Sequence, residues 1–169
     1  MNTLKVVRSE NPVPYNGDGD VEADNDIITK AMGILHRRMV TRGVTLDNNH
    51  SVEQYLLFQL CLKQHEIFGA VWLDNRMRMI AMEELFRGTV TQTAVYPREV
   101  VKAGLAANAV SCFVYHNHPS GTPTPSDDDH RITKMLKSVL ELVGIRLLDH
   151  IVVGGKACYS FERSGVMPY

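Results

Sequence analysis

Two histidines one residue apart close an apolar run: Val110-Ser111-Cys112-Phe113-Val114-Tyr115 leads directly into His116-Asn117-His118-Pro119. In a strand, residues two apart share a face, so both imidazoles project together while Asn117 points the other way. Pro119 has no N–H to give a ladder and ends the strand. A Gly/Pro/Thr loop then leads to Ser126-Asp127-Asp128-Asp129, read as a helix start. Two ring nitrogens and one carboxylate oxygen converging from a strand end and a helix start match the ligand count of a catalytic zinc, with a fourth position left for water.

The remaining pattern supplies elements to frame that pair. Ile28, Ala31, Met32, Leu35 and Met39 recur at helical spacing and predict a helix over 24–39, capped by Asp24 or Asn25. Ser51 and Gln54 form a Ser-x-x-Gln capping box ahead of Tyr55-Leu56-Leu57-Phe58, predicting a helix from Ser51 to Gln64-His65. Residues 66–73 read as a buried strand, Asp74-Asn75 as a turn, and 77–84 as its antiparallel return. Pro97 opens a helix to about Asn108. The clearest helix is 127–143, with Ile132, Met135, Leu136, Val139, Leu140 and Val143 on one face and Gly144 as its stop. Strands 147–153 and 157–161 close the chain around a Gly154-Gly155 hairpin turn. The expected class is α/β (or α+β): a mixed central sheet covered by helices on one or both faces.

A chain of 169 residues, 44% hydrophobic and 22% charged, is long enough to bury a core and is not disordered in composition. Its net charge of −1 implies no global attraction to nucleic acid or an anionic membrane, though it leaves room for a local basic patch. Cys61, Cys112 and Cys158 are isolated and odd in number, which argues against a disulfide framework and for reduced thiols in a cytoplasmic setting. Residues 1–23 are broken by Pro12, Pro14, Gly17 and Gly19 and carry no apolar run of signal-peptide length. No apolar run reaches the roughly 20 residues that span a bilayer, so a soluble protein is expected.

Each candidate has a plainer reading. Ser126-x-x-Asp129 is also a helix capping box, and three aspartates near a helix N-terminus gain about 0.3–1 kcal/mol each from the dipole. Capping does not need three, and their mutual repulsion would be offset by a cation. Asp129 is the chosen ligand, with Asp127 and Asp128 left in water. A base for the water could be Glu66, Glu83, Glu84 or Glu99. Glu99 suits a helix first turn, and Glu83 or Glu84 could pair with Arg87. Glu66, beside a strongly apolar strand, stands where a carboxylate is expensive without a task. His65 reads as a helix-end residue or an orienting group, His130 as turned away from the site, and His150 as a satisfied core or supporting residue. Cys112 reads as a buried thiol.

Glu66, His116-Asn117-His118-Pro119 and Ser126-Asp127-Asp128-Asp129 together resemble the signature of the JAMM (MPN/JAB-type) zinc metalloproteases. Glu83-Glu84-Leu85-Phe86-Arg87-Gly88-Thr89, Tyr96-Pro97-Arg98-Glu99-Val100-Val101, His118-Pro119-Ser120-Gly121 and Leu148-Asp149-His150-Ile151-Val152-Val153-Gly154 are similar to the RadC-like branch of that family. The resemblance spans roughly residues 50–165. It implies a cytidine-deaminase-like core in a JAMM-type domain over 41–169, preceded by an arm and helix at 1–40. It further implies Zn²⁺ on His116, His118 and Asp129, Glu66 as general base, Ser126 as oxyanion donor, and a protein or peptide substrate cut at an amide. Longer RadC-like proteins carry an N-terminal region associated with DNA-binding helical hairpins, for which residues 1–40 are too short. Two rivals stand beside a hydrolase: a non-proteolytic DNA-transaction accessory protein and a metal-stabilised interaction module. The sheet edge near Gly154-Gly155 offers a place for a second copy to pair as a homodimer.

Overall fold

A computed structural model describes residues 21–41, 49–60, 63–88 and 94–168. Helices α1 (Val21–Thr41) and α2 (Asn49–Leu60) precede strands β1 (Ile67–Leu73) and β2 (Met79–Arg87). Helix α3 (Pro97–Ala106), strand β3 (Ser111–His118), helix α4 (Asp127–Leu142) and the pair β4 (Arg146–Gly154) and β5 (Ala157–Ser160) follow. The strands form one mixed sheet in the order β2-β1-β3-β4-β5. All pairings are antiparallel except β3 with β4, whose parallel sense requires the crossover that α4 supplies. The α/β class is as expected, and helices cover both faces.

The two-residue pleat sorts the core. On one face Ile67, Val71 and Leu73 of β1 and Phe113 and Tyr115 of β3 pack with Val52, Tyr55, Leu56 and Leu60 of α2. On the other, Phe68, Ala70 and Trp72 of β1 and Cys112 and Val114 of β3 pack with Val100 of α3 and Leu136 and Leu140 of α4. Each fully buried large side chain contributes about 1.5–3 kcal/mol. Continued along β3, this alternation puts His116 and His118 on the α4 face and Asn117 on the α2 face.

Several boundaries differ from the sequence reading. Helix α1 spans Val21–Thr41, so Asp24 and Asn25 both lie inside it and neither is its cap. Helix α2 spans Asn49–Leu60, which places Ser51 and Gln54 within it and not ahead of it. Its assigned span ends at Leu60, and Gln64-His65 form a bend, not a helix end. Strand β2 extends through Arg87, because its ladder with β1 continues to the Ile67–Arg87 pair. Strand β3 likewise runs through His118, held by β4 up to the His118–Gly154 pair. The loop expected around 40–50 falls largely outside the described residues, as does Cys61.

Gly154 ends β4 where the main chain of Thr122 and Pro123 passes so close that a Cβ would collide with it. That loop also holds His118, whose Nδ1 is 2.8 Å from the Thr122 carbonyl. Gly154→Ala must push the loop away, and a loss of about 1–3 kcal/mol is expected. A lower urea midpoint at unchanged m-value would register it; an unchanged midpoint would show that the loop yields freely.

Candidate metal centre

The carboxyl end of β3 and the amino end of α4 meet because the chain leaves the sheet there to make its parallel crossover. His116 Nε2 and His118 Nε2 lie 2.9 Å apart. The Asp129 carboxylate reaches them from the first turn of α4, with Oδ1 3.2 Å from His116 Nε2 and Oδ2 3.7 Å from His118 Nε2. One ligand atom from each of the three residues falls within 4.8 Å of the others, the one such group among the described residues. Zinc bonds of about 2.0–2.1 Å in a tetrahedron place ligand atoms about 3.3 Å apart, close to these separations. The donor chemistry agrees. The Thr122 carbonyl can only accept, so a neutral His118 donates from Nδ1 and turns a lone pair at Nε2 toward the other two groups. The residues therefore fit a metal ion, and they offer the N/O set that zinc takes.

Charge accumulates at the same point. Burial pushes the Asp129 carboxyl up, but hydrogen bonds with His116 and His118, and then Ser126, hold it well below the usual carboxylate range. His118 is raised above its ordinary value, first by its hydrogen bond with Asp129, against burial, with help from the Thr122 carbonyl and the charges of Asp129 and Glu66. His116 is buried, whereas the His118 side chain is 20% exposed and that of Asp129 14%. Solvent thus reaches the centre at His118 and Asp129 and not at His116. Glu66 and Asp129 line a cavity of about 280 Å³ together with Phe68, Val95, Asp128, Arg131, Ile132 and Met135, while His118 lines a separate, smaller one.

Ser126 is the N-cap of α4. Its N–H and its Oγ–H both donate to Asp129 Oδ2, at 2.7 and 2.6 Å, and its Oγ accepts from the Asp129 N–H. The capping box is real, and it uses Oδ2 while Oδ1 faces His116. Asp127 and Asp128 are exposed. Asp128 pairs with Arg131, so part of the aspartate repulsion is offset by an arginine and needs no cation.

Glu66 precedes β1. Asn117, on the far face of β3, accepts from the Ile67 N–H at 2.9 Å and donates to the His65 carbonyl at 3.1 Å. One buried amide thus clamps the backbone on both sides of Glu66 to the strand that carries the histidines. The other carboxylates are engaged elsewhere: Glu83 accepts from Trp72 Nε1, Glu84 pairs with Lys63, and Glu99 with Lys102. Arg87 meets His65 instead of the Glu83 or Glu84 considered from sequence. His130 packs on Phe161, away from the centre. Cys112 is buried and its thiol pushed up to about 12 by desolvation, an inert group.

The sequence reading did not single out Asn117, Thr122 or Thr133 as supports. Thr133 left a trace, as a hydroxyl four residues after Asp129 on an otherwise apolar helix stripe. It donates to the Asp129 carbonyl at 2.5 Å and lies 2.6 Å from His150 Nδ1. His150 Nε2 is in turn 2.8 Å from His116 Nδ1, so His150 is a buried residue with both ring nitrogens engaged.

An α/β sheet with two histidines and an aspartate gathered at a strand end defines a chain able to hold a metal ion. A family model for the RadC-like JAB domain matches residues 46–166, and the chain belongs to that family. A UPF0758 protein of Vibrio cholerae is 47% identical over 142 residues, which cover 84% of this chain and 89% of that protein. UPF0758 protein YkfG of Escherichia coli is 42% identical over 144 residues, 85% and 91% of the two chains. A UPF0758 protein of Janthinobacterium is 50% identical over 123 residues, 73% of this chain, and this chain spans only 55% of that relative. Among the described residues, no helix is long and apolar enough to cross a membrane.

The raised His118 fixes the sign of a pH effect. In the metal-free protein its proton stabilises the fold fully below the unfolded value near about 6.5, and that contribution is lost as pH rises through the higher folded value. A metal ion must displace the same proton. The gain in Tm on adding zinc should therefore grow as pH rises from about 6 to 8. Thermal melts with and without zinc would check this, and a gain that shrinks over that range would contradict it.

Proposed function

We propose that this chain is a zinc-dependent hydrolase of peptide or isopeptide amide bonds. The observation that carries the reading is the convergence of His116, His118 and Asp129 beside a cavity that Glu66 also lines. Zinc held there would polarise a carbonyl and bring the pKa of its water toward about 7. Glu66, fixed by the Asn117 clamp, takes the proton from the attacking water and returns it to the leaving amine. Ser126 exchanges its bond to Asp129 for one to the developing oxyanion, where a hydroxyl donor acts electrostatically. The apolar walls of the cavity, Phe68, Val95, Ile132 and Met135, suit a protein or peptide substrate. Unpaired, electrostatically inert thiols at Cys112 and Cys158 support a cytoplasmic setting. The short edge strand β5 is the site for pairing of two copies, if the protein dimerises.

The test separates metal from base. In Glu66→Gln, zinc content should match the wild type while peptidase turnover falls by about 10²–10⁴-fold. In His118→Ala both should be lost. Metal analysis by mass spectrometry and cleavage of a fluorogenic peptide library read the two properties. Turnover that survives either substitution would remove Glu66 or the metal from the mechanism.

A further inference from the structure

A chain of three side chains leads from the metal centre into the core, and the number of hydrogens available gives it a direction. Thr133 Oγ1 is 2.5 Å from the Asp129 carbonyl. A carbonyl has no hydrogen to offer, so at that separation the hydroxyl hydrogen must lie between the two oxygens. The hydroxyl has no second hydrogen. Toward His150 Nδ1, 2.6 Å away, its oxygen can only accept, and His150 therefore carries a hydrogen on Nδ1. His150 has no exposed surface, and its ring packs on Phe161, Phe68 and His116. Its hydrogen-bond partners are a hydroxyl and a ring nitrogen, so the neutral form is the stable one there. A neutral ring with Nδ1–H has its lone pair on Nε2, which faces His116 Nδ1 at 2.8 Å. His116 then donates from Nδ1, and its Nε2 is left as a lone pair aimed at His118 and Asp129.

We propose that Thr133 and His150 are positioning residues that hold His116 in the Nδ1–H tautomer and aim its Nε2 at the cation, so that metal affinity is set from inside the core. This rests on the metal-centre reading above. Thr133 also ties down the carbonyl of Asp129, so one hydroxyl on α4 fixes the backbone of one ligand and, across β4, the ring of another. An apolar pair could fill the same space without any polar group to satisfy. Thr133, His150 and His116 are at most 1% exposed, so no bulk water can replace a missing member. His118 differs, because its Nδ1 rests on a main-chain oxygen that no side-chain substitution removes.

Two measurements on the full chain test the proposal. Long-range ¹H–¹⁵N spectra of the metal-free protein at alkaline pH should show the ring hydrogen on Nδ1 of both His116 and His150. Zinc affinity, from competition with a chelating dye, should fall about 10-fold in Thr133→Val and 10–100-fold in His150→Ala. Thr133→Ser, which keeps the hydroxyl, should restore it to within about twofold. A merely structural threonine would lower Tm without moving zinc affinity. Wild-type affinity in folded Thr133→Val, or a hydrogen on Nε2 of His150, would overturn the proposal. Should His150→Ala not fold, the Thr133 pair still decides. Should the wild type take up no zinc, the metal reading fails by itself, and the ring-nitrogen spectra of the metal-free chain still support the proposal or overturn it.

Discussion

The register of β3 is the constraint on which the site depends. Its pleat sends Cys112, Val114, His116 and His118 toward α4 and Phe113, Tyr115 and Asn117 toward α2. A slip by one residue would exchange the two sets, put both imidazoles under α2 and leave Asp129 opposite an amide. The slip is prevented on both sides. Apolar residues fill both faces of β3, and its ladder with β1 runs to His116 and that with β4 to His118. Asn117 adds two buried bonds to the backbone flanking Glu66. Losing a buried partner of that kind costs about 1–3 kcal/mol, so the register that aims the histidines also fixes where the glutamate stands.

Asp129 resolves a conflict that its sequence context poses. Ser-x-x-Asp reads equally as a helix cap and as a ligand position, and a carboxylate has one charge to spend. It has two oxygens, however. Oδ2 accepts both hydrogens of Ser126, while Oδ1 faces His116. Capping orients the carboxylate, and the helix dipole favours its charged form. The two readings are parts of one arrangement, and the same bonds leave the Ser126 hydroxyl engaged until something better takes its hydrogen.

Local periodicity made much of this visible in the chain. Two-residue spacing put His116 and His118 on one face, an inference that needs only the geometry of a single element. The ligand role of Asp129 came from the Ser-x-x-Asp resemblance. Thr133, His150 and Asn117 required knowledge of which elements touch: Thr133 meets His150 across 17 residues of chain, and Asn117 meets His65 across 52. No spacing rule reports such pairs. The boundary errors have the same origin. Strand β2 runs to Arg87 because β1 offers it partners there, and Ser51 and Gln54 lie inside α2, which includes Asn49 and His50. Arg87 and Glu84 were natural neighbours in sequence, and the bulge between them leaves both on one face, opposite Ile67 and Gly69, yet Arg87 turns to His65 and Glu84 to Lys63.

Unequal burial gives the centre a direction of approach. His116 is sealed by Phe68, which stacks on its ring, and by His150 behind it. His118 and Asp129 keep a part of their surface, and the cavity shared by Asp129 and Glu66 opens beside them. The core leaves no room behind His116, so a cation held by the three would be reached from the side of His118 and Asp129. Glu83 and Glu84 lie on β2, which β1 separates from β3, and both are already paired. Of the four glutamates considered from sequence, Glu66 is the one that lines the cavity beside Asp129.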